Sequence, residues 1–354
     1  MPLPLPLAHE KAFWEPSAEV LSVLNGRQWV CSYSGGKDST SLVTWIEWLR
    51  RCGVVKVDRP SLVQSDTGVE YPFLAEMSNE LMRLLRASGW SCETVQPKRK
   101  DKLYNQIFGR GVVPIHPGIT SMRWCTRATK LDPMRRFTSE SGDVVMLSGV
   151  RWGESDRRDS RLLASGCRAG GECGLPAPSG SVSSPIITWK TCNVLDWLNG
   201  WAADAADIIP DLISVCVKLL SVYNVQSFTG LFGPPKVTAL RFGCIGCPAV
   251  GKDKVIEAHV ANNPAWKNLR RLYGLWEECY RTRNRIGKVN KHGKFVWGPL
   301  RINFRKKVFA KLLAIQSAAG VVLVDDKDRE YIEKCWDRGR YPRGWSAADE
   351  LNVP

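Results

Sequence analysis

This chain of 354 residues contains no apolar run long enough to span a bilayer, so it is not expected to cross a membrane. Its opening, MPLPLPLAHEKAFW, is broken by proline and lacks a basic stretch leading into a continuous apolar one. It therefore does not read as a signal peptide, and a cytoplasmic location is the expectation. In that compartment the twelve cysteines are expected to be reduced thiols, metal ligands or catalytic groups, not a disulfide framework. There is no internal repeat. There is also no G-x-x-x-x-G-K-S/T and no G-x-G-x-x-G, which excludes a Walker A loop and argues against a dinucleotide site. Acidic residues are missing from Cys279 to Val324, a stretch that holds eleven Lys and Arg.

What is present suits a soluble globular protein. Hydrophobic residues at 44% and charged residues at 24% allow one large core with an appendage, or two modest domains. Fifteen tryptophans are many, and core packing is their default use. A net charge of +15 favours nucleic acid, nucleotides or an acidic partner. The acid-free stretch concentrates that preference, although a solvated basic face is the plainer reading of it.

Along the chain, residues 1–25 read as a Pro-rich arm and a short helix, with Ser17 as N-cap and Gly26 as stop. Residues 26–250 alternate strand and helix. RQWVCSYS, SLVQSDTG, CETVQP and DVVMLSGV are the strands; DSTSLVTWIEWLRRCG and PFLAEMSNELMRLLRASG are the clearest helices. TRATKLDPMRRFTSESG is also expected to be helical, with Pro133 kinking or interrupting it. This alternation predicts an α/β fold, a mostly parallel sheet with helices on both faces. Residues 156–184, rich in Gly, Ser, Pro and Arg, read as a mobile loop of the lid type. Residues 251–354 read as a basic, helical C-terminal region.

The segment WVCSYSGGKDSTSL, Trp29 to Leu42, is a strand that runs through a Gly-Gly turn into a helix. Gly35 and Gly36 permit a sharp turn and close approach to an anion. The N–H groups at the helix start then bind negative oxygens. Ser34, Ser39 and Thr40 add hydroxyls, Lys37 adds charge and Asp38 suits Mg²⁺. In this context S-G-G-K-D-S resembles the signature of the PP-loop ATP pyrophosphatases, which cleave ATP between the α and β phosphates and adenylate a substrate oxygen. The fold implied is the Rossmann-like PP-loop sheet.

SDTGVEYP (Ser65 to Pro72), MRWCTRATKLDPMRRF (Met122 to Phe137) and SGVRWGESDRR (Ser148 to Arg158) narrow the resemblance. Together with the cradle they are similar to the branch of the family that includes the PAPS reductases, over roughly residues 27–250. By that resemblance Asp66, Gly149 and Arg151 join Ser34, Gly35, Gly36, Lys37, Asp38, Ser39 and Thr40 in binding ATP and Mg²⁺. Asp38, Lys37 and Arg151 take the catalytic roles. Arg123, Arg157 and Arg158 could also contact phosphates, with surface ion pairs as the alternative.

RFGCIGCPAV carries a C-x-x-C at Cys244 and Cys247, a spacing that suits zinc, an iron–sulfur cluster or a dithiol. No second C-x-x-C exists, which disfavours a standalone zinc ribbon. The resemblance pairs this knuckle with Cys125 in a 4Fe–4S cluster, zinc being the alternative. In the family's reductases two cysteines are adjacent at that point; here Trp124 precedes Cys125, so a fourth ligand must come from elsewhere. Cys192 is the leading candidate, with Cys167 and Cys173 also able to reach from the loop. Cys31 and Cys216 read as core residues, and Cys52, Cys92, Cys279 and Cys335 as structural.

Two chemistries share this family. A sulfonucleotide reductase attacks PAPS or APS with a cysteine in an E-C-G segment near its C-terminus, and ECGL occurs here at Glu172 to Leu175. It sits mid-chain, however, with Pro176 where that motif has His. The intact cradle favours ATP. The closest resemblance is to the DNA phosphorothioation proteins of the DndC and SspD type. It implies DNA as partner through segment 281–311, a cysteine desulfurase as sulfur source, and a nickase among the other phosphorothioation proteins. A tRNA thiolase on the same fold and a zinc-bearing nucleic-acid-binding module are the remaining alternatives.

Overall fold

A computed structural model describes residues 12–118, 123–154, 156–167, 170–174, 181–223 and 242–350. The proline-rich start of the arm, Arg241 of the RFGCIGC segment and the side chain of Arg157 fall outside these residues, as do 168–169 and 175–180 of the expected loop. The chain forms two compact units. One comprises residues 1–64, 73–94 and 134–238, and the other 65–72, 95–133 and 239–354.

The first unit is built on six strands: β1 (Trp29–Tyr33), β2 (Ser61–Ser65), β3 (Ser91–Val95), β4 (Val145–Leu147), β5 (Glu172–Cys173) and β6 (Ser181–Ser183), in the order β3-β2-β1-β4-β6-β5. β1 runs parallel to β2, with Cys31 opposite Leu62, and parallel to β4, with Cys31 opposite Leu147. β4 and β6 are parallel as well, and β5 closes the edge antiparallel to β6. Central strands of such a sheet are covered on both faces, which is why WVCSY and VML are almost wholly buried. Strand order reverses between β1 and β4, and a doubly wound sheet opens a crevice at that point.

The helices start and stop where their caps dictate. Ser17 accepts from the Val20 N–H at the head of Ala18–Gly26. Lys37–Arg51 and Pro72–Ala87 are followed by Gly53 and Gly89, both in the left-handed region that favours glycine. Trp29, Trp45, Trp90, Trp189 and Trp197 are buried in the core of this unit, so this set of tryptophans does the packing work expected by default. Glu47 is fully buried among them, held by Arg50 Nε at 2.8 Å, Arg51 Nε at 2.9 Å and the Trp90 indole N–H at 2.8 Å. A carboxylate removed from water needs such partners.

Two expectations are corrected. Residues 156–184 are not a plain loop: Asp156–Ala164 is helical and β5 and β6 extend the sheet. The apolar anchors are Leu162, Cys167 and Ile187, which pack together. Cys167 and Cys173 are joined in a disulfide and are not free thiols reaching for a cluster. Pro133 does not break its helix: residues 124–140 stay helical, with Pro133 in the first turn of the last piece. The stretch before it, Arg127–Leu131, widens into a π-turn, and a regular helix resumes over Asp132–Glu140.

In the second unit the helices Arg271–Tyr280, Ile302–Ala319 and Asp326–Asp337 accompany a core that includes Phe108, Trp276 and Phe309. The C-terminal region is not helical throughout: β7 (Arg285–Val289) and β8 (Phe295–Leu300) form an antiparallel hairpin. Asn290 organises its turn, accepting from the His292 and Lys294 N–H groups. Several cations of the acid-free stretch are structural. Arg285 donates to the Gly298 and Trp297 carbonyls, and Arg301 donates to the Arg285 carbonyl. Arg305 is fully buried and donates to the carbonyls of Gly109 and Arg340.

Two glycines are steric requirements of the first unit. A Cβ at Gly149 would lie 2.9 Å from the Asp38 carbonyl and the Ser39 nitrogen, all backbone. At Gly35, with φ +72°, a Cβ would meet Ser78 Oγ at 2.6 Å, a side chain that can rotate away. Gly35→Ala is therefore expected to cost about 1–2 kcal/mol of left-handed strain. Gly149→Ala should cost more, because backbone must move. Urea unfolding midpoints check the order; equal effects would contradict it.

Candidate functional site

The helix Lys37–Arg51 has Gly36 as its N-cap, and no side chain caps it among the described residues. Its first-turn N–H groups carry the positive end of the helix dipole. The Lys37 N–H donates to the Tyr223 hydroxyl at 3.1 Å. Ser39 Oγ donates to the Gly36 carbonyl at 3.0 Å and accepts from the Ser34 N–H at 3.2 Å, closing the turn. Ser34 Oγ lies 3.0 Å from Ser39 Oγ, exposed at the rim. Thr40 is buried against the Tyr33 hydroxyl.

The loop leaving β4 crosses this helix start. With only hydrogen at Gly149, it packs on the Asp38–Ser39 peptide and delivers Arg151. Arg151 is 3% exposed. Its Nε contacts Asp38 Oδ1 at 2.7 Å and its Nη1 donates to the Trp189 carbonyl at 2.9 Å. The second oxygen of Asp38 accepts from Lys37 Nζ at 2.6 Å. Asp38 thus sits between a buried cation that cannot leave and a part-exposed one that can. Arg158 pairs with Glu154, whose carboxylate also accepts from the Arg151 N–H.

Ser34, Gly35, Gly36, Lys37, Asp38, Ser39, Thr40, Gly149 and Arg151 therefore meet at the switch point between β1 and β4 within one unit. Tyr223 and Ser78 belong to the same cradle and were not anticipated. Tyr223 lies 186 residues from its partner, with no motif to mark it. Asp66 belongs to the other unit, where its carboxylate accepts from the Gly68 N–H at 2.8 Å and from Gln96 Nε2 at 2.7 Å. In that turn Glu70, also unanticipated, accepts from the Thr67 N–H and hydroxyl. Burial raises its carboxyl above the ordinary range, against the lowering effect of those bonds.

Cys125, Cys244 and Cys247 all lie in the second unit. The knuckle is fixed by three bonds: Ile245 N–H to the Val69 carbonyl at 2.8 Å, Cys247 N–H to the Cys244 carbonyl at 3.2 Å, and the Trp276 indole to the Gly246 carbonyl at 2.8 Å. Burial pushes the Cys244 thiol up to about 12, with Lys130 opposing and Cys247 and Cys125 adding to the rise. Burial raises Cys125 and Cys247 too. The three sulfurs thus feel one another's charge, and a bound cation would reverse that repulsion, so soft thiolate donors of this kind fit zinc or an iron–sulfur group. Among the described residues, however, no three His, Cys, Asp or Glu are gathered closely enough to chelate a metal. Cys192 belongs to the first unit, exposed at the start of the helix Thr191–Leu198.

Among solved structures the chain is similar to the phosphoadenylyl-sulfate reductase of Candida auris in a phosphate complex. The identity is 15%, over 55% of this chain and 81% of that one, with a TM-score of 0.35. It is also similar to the U34-tRNA thiolase NcsA of Methanococcus maripaludis with its 4Fe–4S cluster. There the identity is 13%, over 73% of each chain, with a TM-score of 0.34. No family model matches the chain, and no curated protein matches it.

Removing the anion of the buried pair should be costly. Asp38→Asn strands the Arg151 guanidinium and is expected to lower unfolding free energy by about 3 kcal/mol. Lys37→Met breaks only the part-exposed contact and should cost less than about 1 kcal/mol. Urea titration of both variants checks this, and a larger loss from Lys37→Met would refute the assignment. The thiols give a pH test. Raised thiols are protonated at neutral pH, so the thiolate fraction of Cys244 should rise about tenfold per pH unit between pH 8 and 10. Alkylation followed by peptide mass spectrometry should show Cys192 modified first at pH 7.5, and Cys244 only as pH rises.

Proposed function

We propose that the chain is an ATP pyrophosphatase that adenylates a nucleic-acid backbone for sulfur insertion, the substrate being DNA as in phosphorothioate modification. The observation that carries this reading is the complete S-G-G-K-D-S cradle at the switch point, with Asp38 held between Lys37 and Arg151. The first-turn N–H groups hold the β and γ phosphates. Lys37 would turn from Asp38 to a phosphate oxygen, and the freed carboxylate is the group that would hold Mg²⁺, which would supply charge neutralisation at the phosphates. Arg151 is a positioning residue: its contacts with Asp38 and the Trp189 carbonyl keep the carboxylate aimed while Lys37 moves.

A non-bridging oxygen of the nucleic-acid phosphate attacks the α phosphorus. The bond to the β-phosphate oxygen breaks and pyrophosphate leaves with that electron pair. The terminal sulfur of a cysteine persulfide, formed by a cysteine desulfurase, then attacks the activated phosphorus and AMP leaves with its electron pair. A reducing thiol attacks the carrier sulfur of the S–S bond, which leaves the phosphorothioate and a disulfide. The cradle binds the departing pyrophosphate more strongly as charge gathers on it, and such electrostatic assistance is the large term in phosphoryl and nucleotidyl transfer. Cys125, Cys244 and Cys247 are the candidate thiolates for a 4Fe–4S cluster, or zinc, but they would have to draw closer together than the described geometry places them to hold one.

The reductase reading requires a free Cys173 thiolate. Its bond to Cys167 weighs against that reading. Transfer to RNA uses the same activation steps and differs only in the acceptor.

Pyrophosphate release from ATP, measured with DNA and the sulfur-delivering partner present, should fall at least ~100-fold in Asp38→Ala. Mass spectrometry of nucleic acids from expressing and deletion cells should reveal phosphorothioate linkages in DNA. Thiolated RNA bases in place of them would move the substrate to RNA, and absence of pyrophosphate release from the wild type would end the proposal.

A further inference from the structure

The second unit holds a cavity of about 340 Å³ that none of the motifs touches. Lys100, Arg110, Arg338 and Arg340 line it, together with the rings of Tyr331 and Tyr341. No carboxylate lines it. Among the described residues none of these four cations makes an ion pair, whereas Lys334 at the same rim is paired with Glu330. Tyr341 is buried, its face covered by the Arg305 guanidinium at 4.5 Å. Tyr331 is half-buried.

Cations brought together without counter-charges repel one another, and that repulsion is relieved by a multiply charged anion. Guanidinium forks match phosphate oxygens, and a tyrosine face accepts a nucleobase. A pocket of this size is at the low end for small ligands and suits about one nucleotide. A duplex keeps its bases stacked inside, so only an unpaired base can enter a concave pocket and stack on a ring at its wall.

We infer that this cavity is a single-strand nucleic-acid site, which takes one unpaired nucleotide on Tyr331 with its flanking phosphates on Arg110, Arg338 and Arg340. The contact surface for nucleic acid is then this pocket, formed by residues 100–110 and 331–341, and not the acid-free run at 281–311. The two regions differ in how their arginines are used. In the run, Arg285, Arg301 and Arg305 are used on backbone carbonyls, and Arg281 and Arg283 pair with Glu278. The inference deepens the nucleic-acid reading above, but binding is measured without ATP, so its outcome is independent of adenylation.

Fluorescence anisotropy on the full chain with a labelled 12-nucleotide single strand tests it. The triple variant Arg110→Gln/Arg338→Gln/Arg340→Gln should bind at least ~10-fold more weakly at 100 mM salt. The slope of log K against log salt should flatten by about 2, three contacts at roughly 0.7 each. Tyr331→Leu should weaken binding severalfold with the slope unchanged, a signature of stacking rather than charge. A control triple, Lys291→Gln/Lys294→Gln/Lys306→Gln, should stay within about twofold of wild type. Thermal melting confirms that each variant is folded. Unchanged affinity and slope in the pocket triple would overturn the inference. So would equal losses for an intact duplex, or tighter binding of an acidic peptide than of the single strand.

Discussion

The ion pair between Asp38 and Arg151 is the constraint on which the rest of the cradle depends. It ties the first turn of the helix after β1 to the loop after β4, the two strand ends that flank the reversal of strand order. The pair forms only because Gly149 has no side chain, so that loop and helix start can touch, and because the Trp189 carbonyl takes a further guanidinium N–H. A buried guanidinium left without either partner would be strongly unfavourable. Packing, charge and strand topology therefore converge on one carboxylate, and the site's geometry is inherited from the sheet.

Much of this architecture can be read from residue pattern. Apolar runs bounded by Gly53 and Gly89 marked strands and helices because short-range rules govern them: a left-handed stop after a helix, an N-cap at Ser17, a glycine turn at Gly35. The cradle's own residues were visible for the same reason, being contiguous. Tyr223 and Ser78 were not, because they meet the cradle through tertiary packing and carry no local signal. The segment 156–184 misled because its Gly, Ser and Pro content outweighed two residues, Leu162 and Cys167, which pack on Ile187 just beyond it. The bond between Cys167 and Cys173 likewise follows from proximity in the fold, which spacing alone does not disclose.

Charge along the sequence and charge in the fold differ in the second unit. Eleven cations without an acid suggest a binding face, yet arginines of that run serve as internal hydrogen-bond donors to the main chain. Guanidinium is suited to this, since one planar group can satisfy several carbonyls at once. A second group of cations, for which no ion pair is found among the described residues, is assembled from positions scattered between Lys100 and Arg340, and no window of sequence contains it.

The contact between Lys37 and Asp38 sets the electrical character of this turn. One oxygen of Asp38 is taken by Arg151 and the other by Lys37, so a single carboxylate is shared by one buried and one part-exposed cation. Under the proposed function, an anion that drew Lys37 away would have to compete with a carboxylate already in place, and that competition would favour a multiply charged group over a monovalent one.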